Sequence, residues 1–286
     1  MSKKILILSL SPLKTDPRVY RQISFLKDRY WITAAGLSDP EIDGVTYIPL
    51  KGSVSTLPGK IRNFVRLKAR RFEAFYWSIN SIRYAYTALG SETCDLMIAN
   101  DLVLLPLALR LAEKMKTPVF LDAHEFTPRE FDHSPLWRFE FQGFWEYVCR
   151  TYLPRVSAMI TVCGGIADEY RRLHGVACRV INNAPFFVDQ KPSGVRDDRI
   201  EMVHHGGLSR SRKMENMIRL MEHLDPRFRL TFMLLNNDPS YLDRLKNLAS
   251  GEDRITFRDP RAHARHLHGA KRLRPGALPF ESRILQ

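Results

Sequence analysis

Val119-Phe120-Leu121 is a short apolar run that ends in Asp122-Ala123-His124-Glu125. Ionisable groups at the end of a buried segment are costly unless they are hydrogen-bonded or put to use. Histidine changes charge near neutral pH, and a carboxylate beside it suits proton transfer from a hydroxyl. His124 and Glu125 are therefore the candidates for contacting a reacting hydroxyl, with Asp122 in a supporting role. The run Asp95 to Ala99 leads in the same way to Asn100-Asp101, where Asp101 would cap the helix that follows. Near the N-terminus, Ser9 to Thr15 leads to Asp16, Pro17 and Arg18, an N-cap followed by a first-turn proline. A helix start of this kind can accept a hydroxyl or phosphate. Capping alone explains Asp16 and Asp101 equally well.

A fourth constellation is of a different kind. Val203-His204-His205-Gly206-Gly207-Leu208 closes an apolar run and is expected to turn tightly at the glycines, and Ser209-Arg210-Ser211-Arg212-Lys213 follows. The glycine pair lets a ligand approach the backbone, and the cations next to a helix start suit a diphosphate. A solvated basic turn is the plain alternative. No GxGxxG and no GxxxxGK[ST] occurs, so a standard dinucleotide site or P-loop is not expected. Neighbouring strand residues point to opposite faces, so His204 and His205 are not expected to share a metal. His263, His266 and His268 lie in a stretch without periodicity. Cys94, Cys149, Cys163 and Cys178 form no CxxC pair and read as reduced core thiols.

The elements that must position these residues follow from alternating periods of the apolar positions. Strands are expected at Lys4 to Ser9, Tyr30 to Ala35, Val45 to Ile48, Asp95 to Ala99, Pro118 to Asp122, Ala158 to Val162 and Cys178 to Ile181. Helices are expected at Asp16 to Asp28, Lys60 to Leu89, Leu102 to Met115, Pro135 to Tyr152 and Ile166 to Leu173. After a linker over Asn182 to Asp198 the alternation restarts. Strands follow at Ile200 to His204, Arg229 to Leu235 and Arg254 to Phe257, with helices at Met214 to Leu224 and Tyr241 to Ala249. Short apolar strands separated by helices mean parallel βαβ units. The reading is α/β: one complete Rossmann-like domain over 1–185, the front part of a second over 186–258, and an irregular basic tail over 259–286.

The net charge of +13 over 286 residues favours anionic partners without choosing among them. No apolar run reaches the roughly 18 residues of a membrane span. Lys60 to Leu89 interleaves Arg62, Arg66, Lys68, Arg70, Arg71 and Arg83 with Phe64, Phe72, Phe75, Tyr76, Trp77, Tyr84 and Tyr86. Basic and aromatic residues mixed in this way suit an anionic membrane surface. An ordinary domain helix with an aromatic core face fits them as well. No recognition helix, zinc finger or RNP-like aromatic pattern is present, so nucleic acid is not an expected partner.

Read in order, Asp16-Pro-Arg-Val-Tyr-Arg-Gln, Ile98-Ala-Asn-Asp101, Leu121-Asp-Ala-His-Glu125, Ile160-Thr-Val-Cys163, Val180-Ile-Asn-Asn-Ala-Pro185 and His205-Gly-Gly-Leu208 with Arg212 resemble the family-4-like glycosyltransferases of the GT-B fold. The resemblance runs over about residues 3 to 257. It implies two facing Rossmann-like domains with the active site in the cleft, an acceptor on the first and a nucleotide sugar on the second. It also implies transfer with retention and no metal or other cofactor. On that basis Asp101, His124 and Glu125 are the catalytic candidates, and Asp16, Arg18 and Asn100 lie on the acceptor side. Gly206, Gly207, Arg210, Arg212 and Lys213 hold the donor, and a glycan or lipid-linked molecule is the acceptor. The expected location is the cytoplasm, and the inner face of the membrane if the basic and aromatic 60–89 region makes peripheral contact there rather than serving as an ordinary domain helix.

Two departures stand out. The family often places an Arg directly after the first glycine of the second-domain loop, where this chain has Gly207; Arg210 is the cation that would substitute. Nothing after Phe257 matches the family's Glu-x7-Glu element, so a truncated or frame-shifted donor half with impaired activity is expected. Two further functions share parts of the pattern: a non-catalytic sugar- or nucleotide-binding protein, and a nucleotide-sugar epimerase. The Asp-Pro-Arg-Val-Tyr segment fits the transferase better than the epimerase.

Overall fold

The computed structural model describes residues 3–52, 56–185, 187, 189, 191 and 194–259. The chain divides into two compact units, Met1–Pro185 and Phe186–Gln286. The basic tail expected from 259 lies, apart from Asp259, outside the described residues, as does part of the expected linker.

The first unit comprises β1 (Lys4–Leu8), α1 (Pro17–Leu26), β2 (Trp31–Gly36), β3 (Val45–Pro49), α2 (Leu57–Lys68), α3 (Phe72–Tyr76), α4 (Asn80–Ala88), β4 (Leu96–Asn100), α5 (Leu105–Met115), β5 (Val119–Asp122), α6 (Pro135–Trp137), α7 (Gly143–Tyr152), β6 (Ala158–Thr161), α8 (Gly164–His174) and β7 (Arg179–Val180). Its seven strands run parallel in the order β3-β2-β1-β4-β5-β6-β7. The chain works outward from β1 to β3, returns to lay β4 beside β1, and works outward the other way. Such a reversal is where open parallel sheets bind ligands, beyond the carboxyl ends of the strands.

Strand alternation divides the core between the two faces. Leu6 and Leu8 of β1 join a large cluster with Ile82, Leu105, Val148 and Tyr170. Ile5 and Ile7 face the other way, onto Val19 and Ile23 of α1. Burying aliphatic side chains of this size contributes about 1.5–3 kcal/mol each. Asp16 fixes where α1 begins: its Oδ1 accepts from the backbone of Arg18 at 3.1 Å and of Val19 at 3.3 Å. Arg18 in that first turn reaches Asp101, the residue after β4, near the middle of the sheet.

The expected helix over Lys60 to Leu89 is three helices. A straight helix of that length would run about 45 Å, with core to cover along only part of it. The chain turns at Arg70, where φ is +52°. The apolar positions explain the break: α3 buries Phe75 and Tyr76, α4 buries Ile82 and Ala85, and α2 buries only Leu67. The expected helix at Pro135 to Tyr152 forms with one π-helical turn at Arg138–Gln142. Cys163 is not a core thiol, because it stands exposed at the start of α8.

The second unit comprises β8 (Ile200–Gly207), α9 (Glu215–Leu220), β9 (Phe228–Leu235), α10 (Pro239–Leu248) and β10 (Ile255–Arg258), with its parallel strands in the order β10-β9-β8. Its core joins Leu208, Met214, Ile218, Phe232, Tyr241 and Leu245. β8 runs on through the glycine pair, with Gly206 beside Leu234 and Gly207 beside Leu235. The turn expected at the glycines therefore comes later, in a single 3-10 turn at Arg210–Arg212. Among the described residues no helix is long and apolar enough to cross a membrane.

Candidate active site

The parallel register sets Asn100 of β4 beside Asp122 of β5. The next residues, Asp101 and Ala123-His124, therefore leave the sheet side by side at the reversal point. His124 is buried between two carboxylates. Its Nδ1 lies 2.7 Å from Oδ1 of Asp101, and its Nε2 lies 3.0 Å from Oδ1 of Asp122 at an angle that falls short of a straight hydrogen bond. Arg18 closes the cluster from above by donating from Nη2 to Oδ2 of Asp101 at 3.4 Å.

Asp101 has φ 69° and ψ 152°, a region essentially confined to glycine that costs about 1–3 kcal/mol. It is held there from both ends: its backbone N–H donates to the Asp122 carbonyl at 2.9 Å, and its carboxylate meets His124 and Arg18. The expected capping bond from its side chain is absent.

Burial penalises the charged form of His124, but the hydrogen bonds and charges of Asp101 and Asp122 outweigh it and raise the pKa. For Asp101 burial pushes upward, and the bonds and charge of His124 with the charge of Arg18 bring the net shift downward. The pair thus favours a charged imidazole beside an ionised Asp101. With both ring nitrogens against carboxylates, His124 has neither free to take a proton from an incoming hydroxyl. Asp101, its side chain 44% exposed, is the member of the trio that reaches solvent.

These shifts give stability a direction with pH. The share from His124 is complete below its ordinary value of 6.5 and is lost as pH rises through the raised value. The share from Asp101 is present above its ordinary 3.8 and is lost as pH falls through the lowered value, and solvent screening keeps it small. Melting temperature is expected to fall in the wild type as pH rises above 6.5 through the raised value, and calorimetry of His124→Gln should lack that fall. An identical slope in both proteins would contradict the assignment.

Glu125 is not brought into this cluster. It is exposed, its backbone carbonyl accepts from the Tyr170 hydroxyl at 2.9 Å, and its carboxylate has no hydrogen-bond partner among the described residues. Asn100 is buried and turned inward, with Nδ2 donating to the Leu8 carbonyl at 3.2 Å and to Oε1 of Gln22 at 3.0 Å. Asp16 is the cap of α1.

Gln22 is the residue that sequence reasoning missed. Its Nε2 donates to Oδ2 of Asp122 at 3.1 Å, so its amide joins Asn100 to Asp122. It stands four residues after Arg18 on the same helix face, so α1 grips Asp101 with one side chain and Asp122 with the other. That i, i+4 spacing was readable in the sequence. Gln22→Leu is expected to lower stability by about 1–3 kcal/mol, because it leaves buried polar groups without partners. The check is the urea midpoint at unchanged m-value; an unmoved midpoint would remove the brace.

Beside the cluster lies a cavity of about 390 Å³, with Gln22, Asp122 and His124 at its polar end and Phe25, Phe120 and Ile160 among its apolar walls.

In the second unit Gly206 has φ +134°, and a β-carbon placed on it would come within 3.7 Å of Nη1 of Arg212. The guanidinium therefore lies against the glycine at the carboxyl end of β8. Arg212 has no carboxylate partner among the described residues, and Lys213 is exposed in the left-handed region at φ 47°. His204 packs edge-on against Phe232 while His205 is exposed. Burial first, then the charges of Arg212 and His205, lower the pKa of His204 and keep it neutral.

Arg210 is not free to replace the cation missing at Gly207. Its Nε and Nη2 donate to the two oxygens of Asp238 at 2.7 and 3.1 Å, and Nη2 also donates to Ser240 at 2.9 Å. These bonds bring Asp238, the N-cap of α10, down to about 2. Among the described residues no group of His, Cys, Asp and Glu could hold a metal.

The sequence model of Glycosyltransferase Family 4 matches residues 38–184. The chain belongs to Glycosyltransferase Family 4. The match lies wholly in the first unit and takes in Asn100, Asp101, Asp122, His124 and Glu125. Asp16, Arg18 and Gln22 precede it, and the Gly206–Lys213 segment follows it. No curated protein matches the sequence.

Solved structures share the fold. Anabaena HepE in complex with UDP-glucose superposes with a TM-score of 0.61 at 13% identity, over 91% of this chain and 70% of that one. Sucrose-phosphate synthase from Thermosynechococcus elongatus gives 0.61 at 15% identity, over 93% and 72%. The apo form of the lipopolysaccharide outer core galactosyltransferase WaaB gives 0.56 at 12% identity, over 95% and 71%. The family-4 chain is thus an α/β protein with the parallel-sheet architecture of GT-B glycosyltransferases.

Proposed function

We propose that the chain transfers a sugar, with retention, from a nucleotide-sugar donor to a hydroxyl of a glycan or lipid-linked acceptor. The observation that carries this reading is the family match over the residues that form the Asp101–His124–Asp122 cluster. The first unit supplies the acceptor side. Asp101 accepts a hydrogen bond from the acceptor hydroxyl and orients it, His124 and Arg18 hold the Asp101 carboxylate, and Glu125 is the exposed carboxylate nearby. The second unit supplies the donor side. Gly206 and Gly207 let the diphosphate reach the backbone, and Arg212 and Lys213 meet the charge that grows on it as the anomeric C–O bond breaks. The new bond joins the anomeric carbon to the acceptor oxygen, and the hydroxyl proton leaves with the nucleoside diphosphate. No metal takes part in this scheme.

HepE in complex with UDP-glucose and with UDP and glucose, and S. aureus MnaA with UDP, support a uridine nucleotide as the first donor to try. The reading includes peripheral contact with the inner face of a membrane through the 60–89 region. A panel of nucleotide sugars tests the donor: one at 100 times its Kd raises stability by about 2.7 kcal/mol, and release of nucleoside diphosphate with an acceptor reports transfer. The capture of Arg210 by Asp238 favours a second reading, a non-catalytic nucleotide-sugar binder. Stabilisation without product formation would select it, and no response to any donor would reject both.

A further inference from the structure

Helix α2 is amphipathic with its apolar side outward. Leu57, Ile61, Phe64 and Val65 recur at the spacing of one helix face, yet they are 71, 58, 42 and 57% exposed. Only Leu67 anchors the helix to the core. Across from it, Leu136 and Phe139 are 68 and 65% exposed and lie one turn apart. Lys68 ties the two surfaces together, with Nζ 3.0 Å from the ring centre of Phe139 and 5.4 Å from that of Phe64.

Charge identifies what this face meets. No Asp or Glu occurs from Gly44 to Phe72, while Lys60, Arg62, Arg66, Lys68, Arg70 and Arg71 fall on or next to α2. None of these cations pairs with a carboxylate among the described residues. Phe75 and Tyr76 of the 60–89 region do not contribute, since they are buried. An apolar stripe bordered by unpaired cations is the chemistry of a helix lying in the headgroup layer of an anionic bilayer.

We propose that α2, together with Leu136 and Phe139, docks the protein onto an anionic lipid surface, the stripe entering the headgroup boundary and the cations meeting lipid phosphates. This deepens the membrane-contact part of the proposed function and is tested apart from transfer. Flotation of the full chain with phosphatidylcholine vesicles, with and without phosphatidylglycerol, is the measurement. Binding is expected to the anionic vesicles alone and to weaken with salt. Arg62→Gln and Arg66→Gln should each weaken it about fivefold, and Ile61→Ser with Phe64→Ser should weaken it tenfold or more. All variants should keep the wild-type melting temperature and the wild-type response to nucleotide sugars, so failure of the donor reading leaves this test intact. Absence of wild-type flotation at low salt would overturn the proposal. So would variants that float like wild type, or a lipid-free dimer that the Ile61→Ser, Phe64→Ser pair dissolves, which would assign the face to a second copy.

Discussion

Replacing Asp101 with glycine is expected to leave stability close to wild type and to cut kcat/KM for transfer by about 100-fold or more. The two halves of this expectation have separate physical origins. At φ 69° and ψ 152° the aspartate holds a conformation that glycine adopts freely, so the substitution releases about 1–3 kcal/mol of strain. It also removes the hydrogen bond to His124, and one bond to a charged group contributes about 1.5–3 kcal/mol, while the longer, part-exposed contact with Arg18 adds little. The terms are similar and opposite. A strained residue that gains no net stability from its contacts is one whose side chain is needed for something else, and here that is the half-exposed carboxylate facing solvent beside His124. Urea melts and steady-state kinetics on the same preparation give both numbers. Full activity in a stable Asp101→Gly protein would end the catalytic assignment, and His124 would then be a buried structural histidine with unusual neighbours.

How much of this was legible depended on whether the cause was local. The strands of the first unit follow from short apolar runs, and the start of α1 follows from Asp16-Pro17, because period and capping act within a few residues. That Asp122 and His124 end a strand was legible for the same reason. That both nitrogens of His124 face carboxylates was not: Asp101 arrives through the β4–β5 register, a pairing between segments about twenty residues apart. The breaks between α2, α3 and α4 were hidden because their cause is core geometry. Propensity favours helix throughout, and only the available core decides which turns stay. At Gly206 the sequence suggested a turn because glycine often marks one, whereas β8 continues through it and uses glycine for a φ of +134°. Arg210 could not be told from Arg212 by sequence, since what separates them is Asp238, 28 residues further on.

That separation gives the second large expectation. Arg212→Ala should weaken donor binding by roughly 10- to 100-fold, the scale of a lost charge-assisted hydrogen bond. It should lower kcat by roughly 100- to 1,000-fold as well, because charge grows on the diphosphate at the transition state. Arg210→Ala, two residues away and of the same type, should leave both nearly unchanged. Both side chains are exposed, so neither substitution opens a cavity. The difference lies in prior engagement: the Arg210 guanidinium is already bound on both edges to Asp238 and stacked 4.8 Å from the Tyr241 ring centre, and a diphosphate would have to compete with that carboxylate. Arg212 has no such competitor among the described residues and lies against a glycine whose φ of +134° would strain any other residue. Isothermal titration with the donor found in the nucleotide-sugar panel, followed by kinetics, separates the binding loss from the rate loss. Equal losses in the two variants would mean that Arg210 leaves Asp238 when the donor arrives. A loss in Arg210→Ala alone would move the diphosphate site to the start of α10.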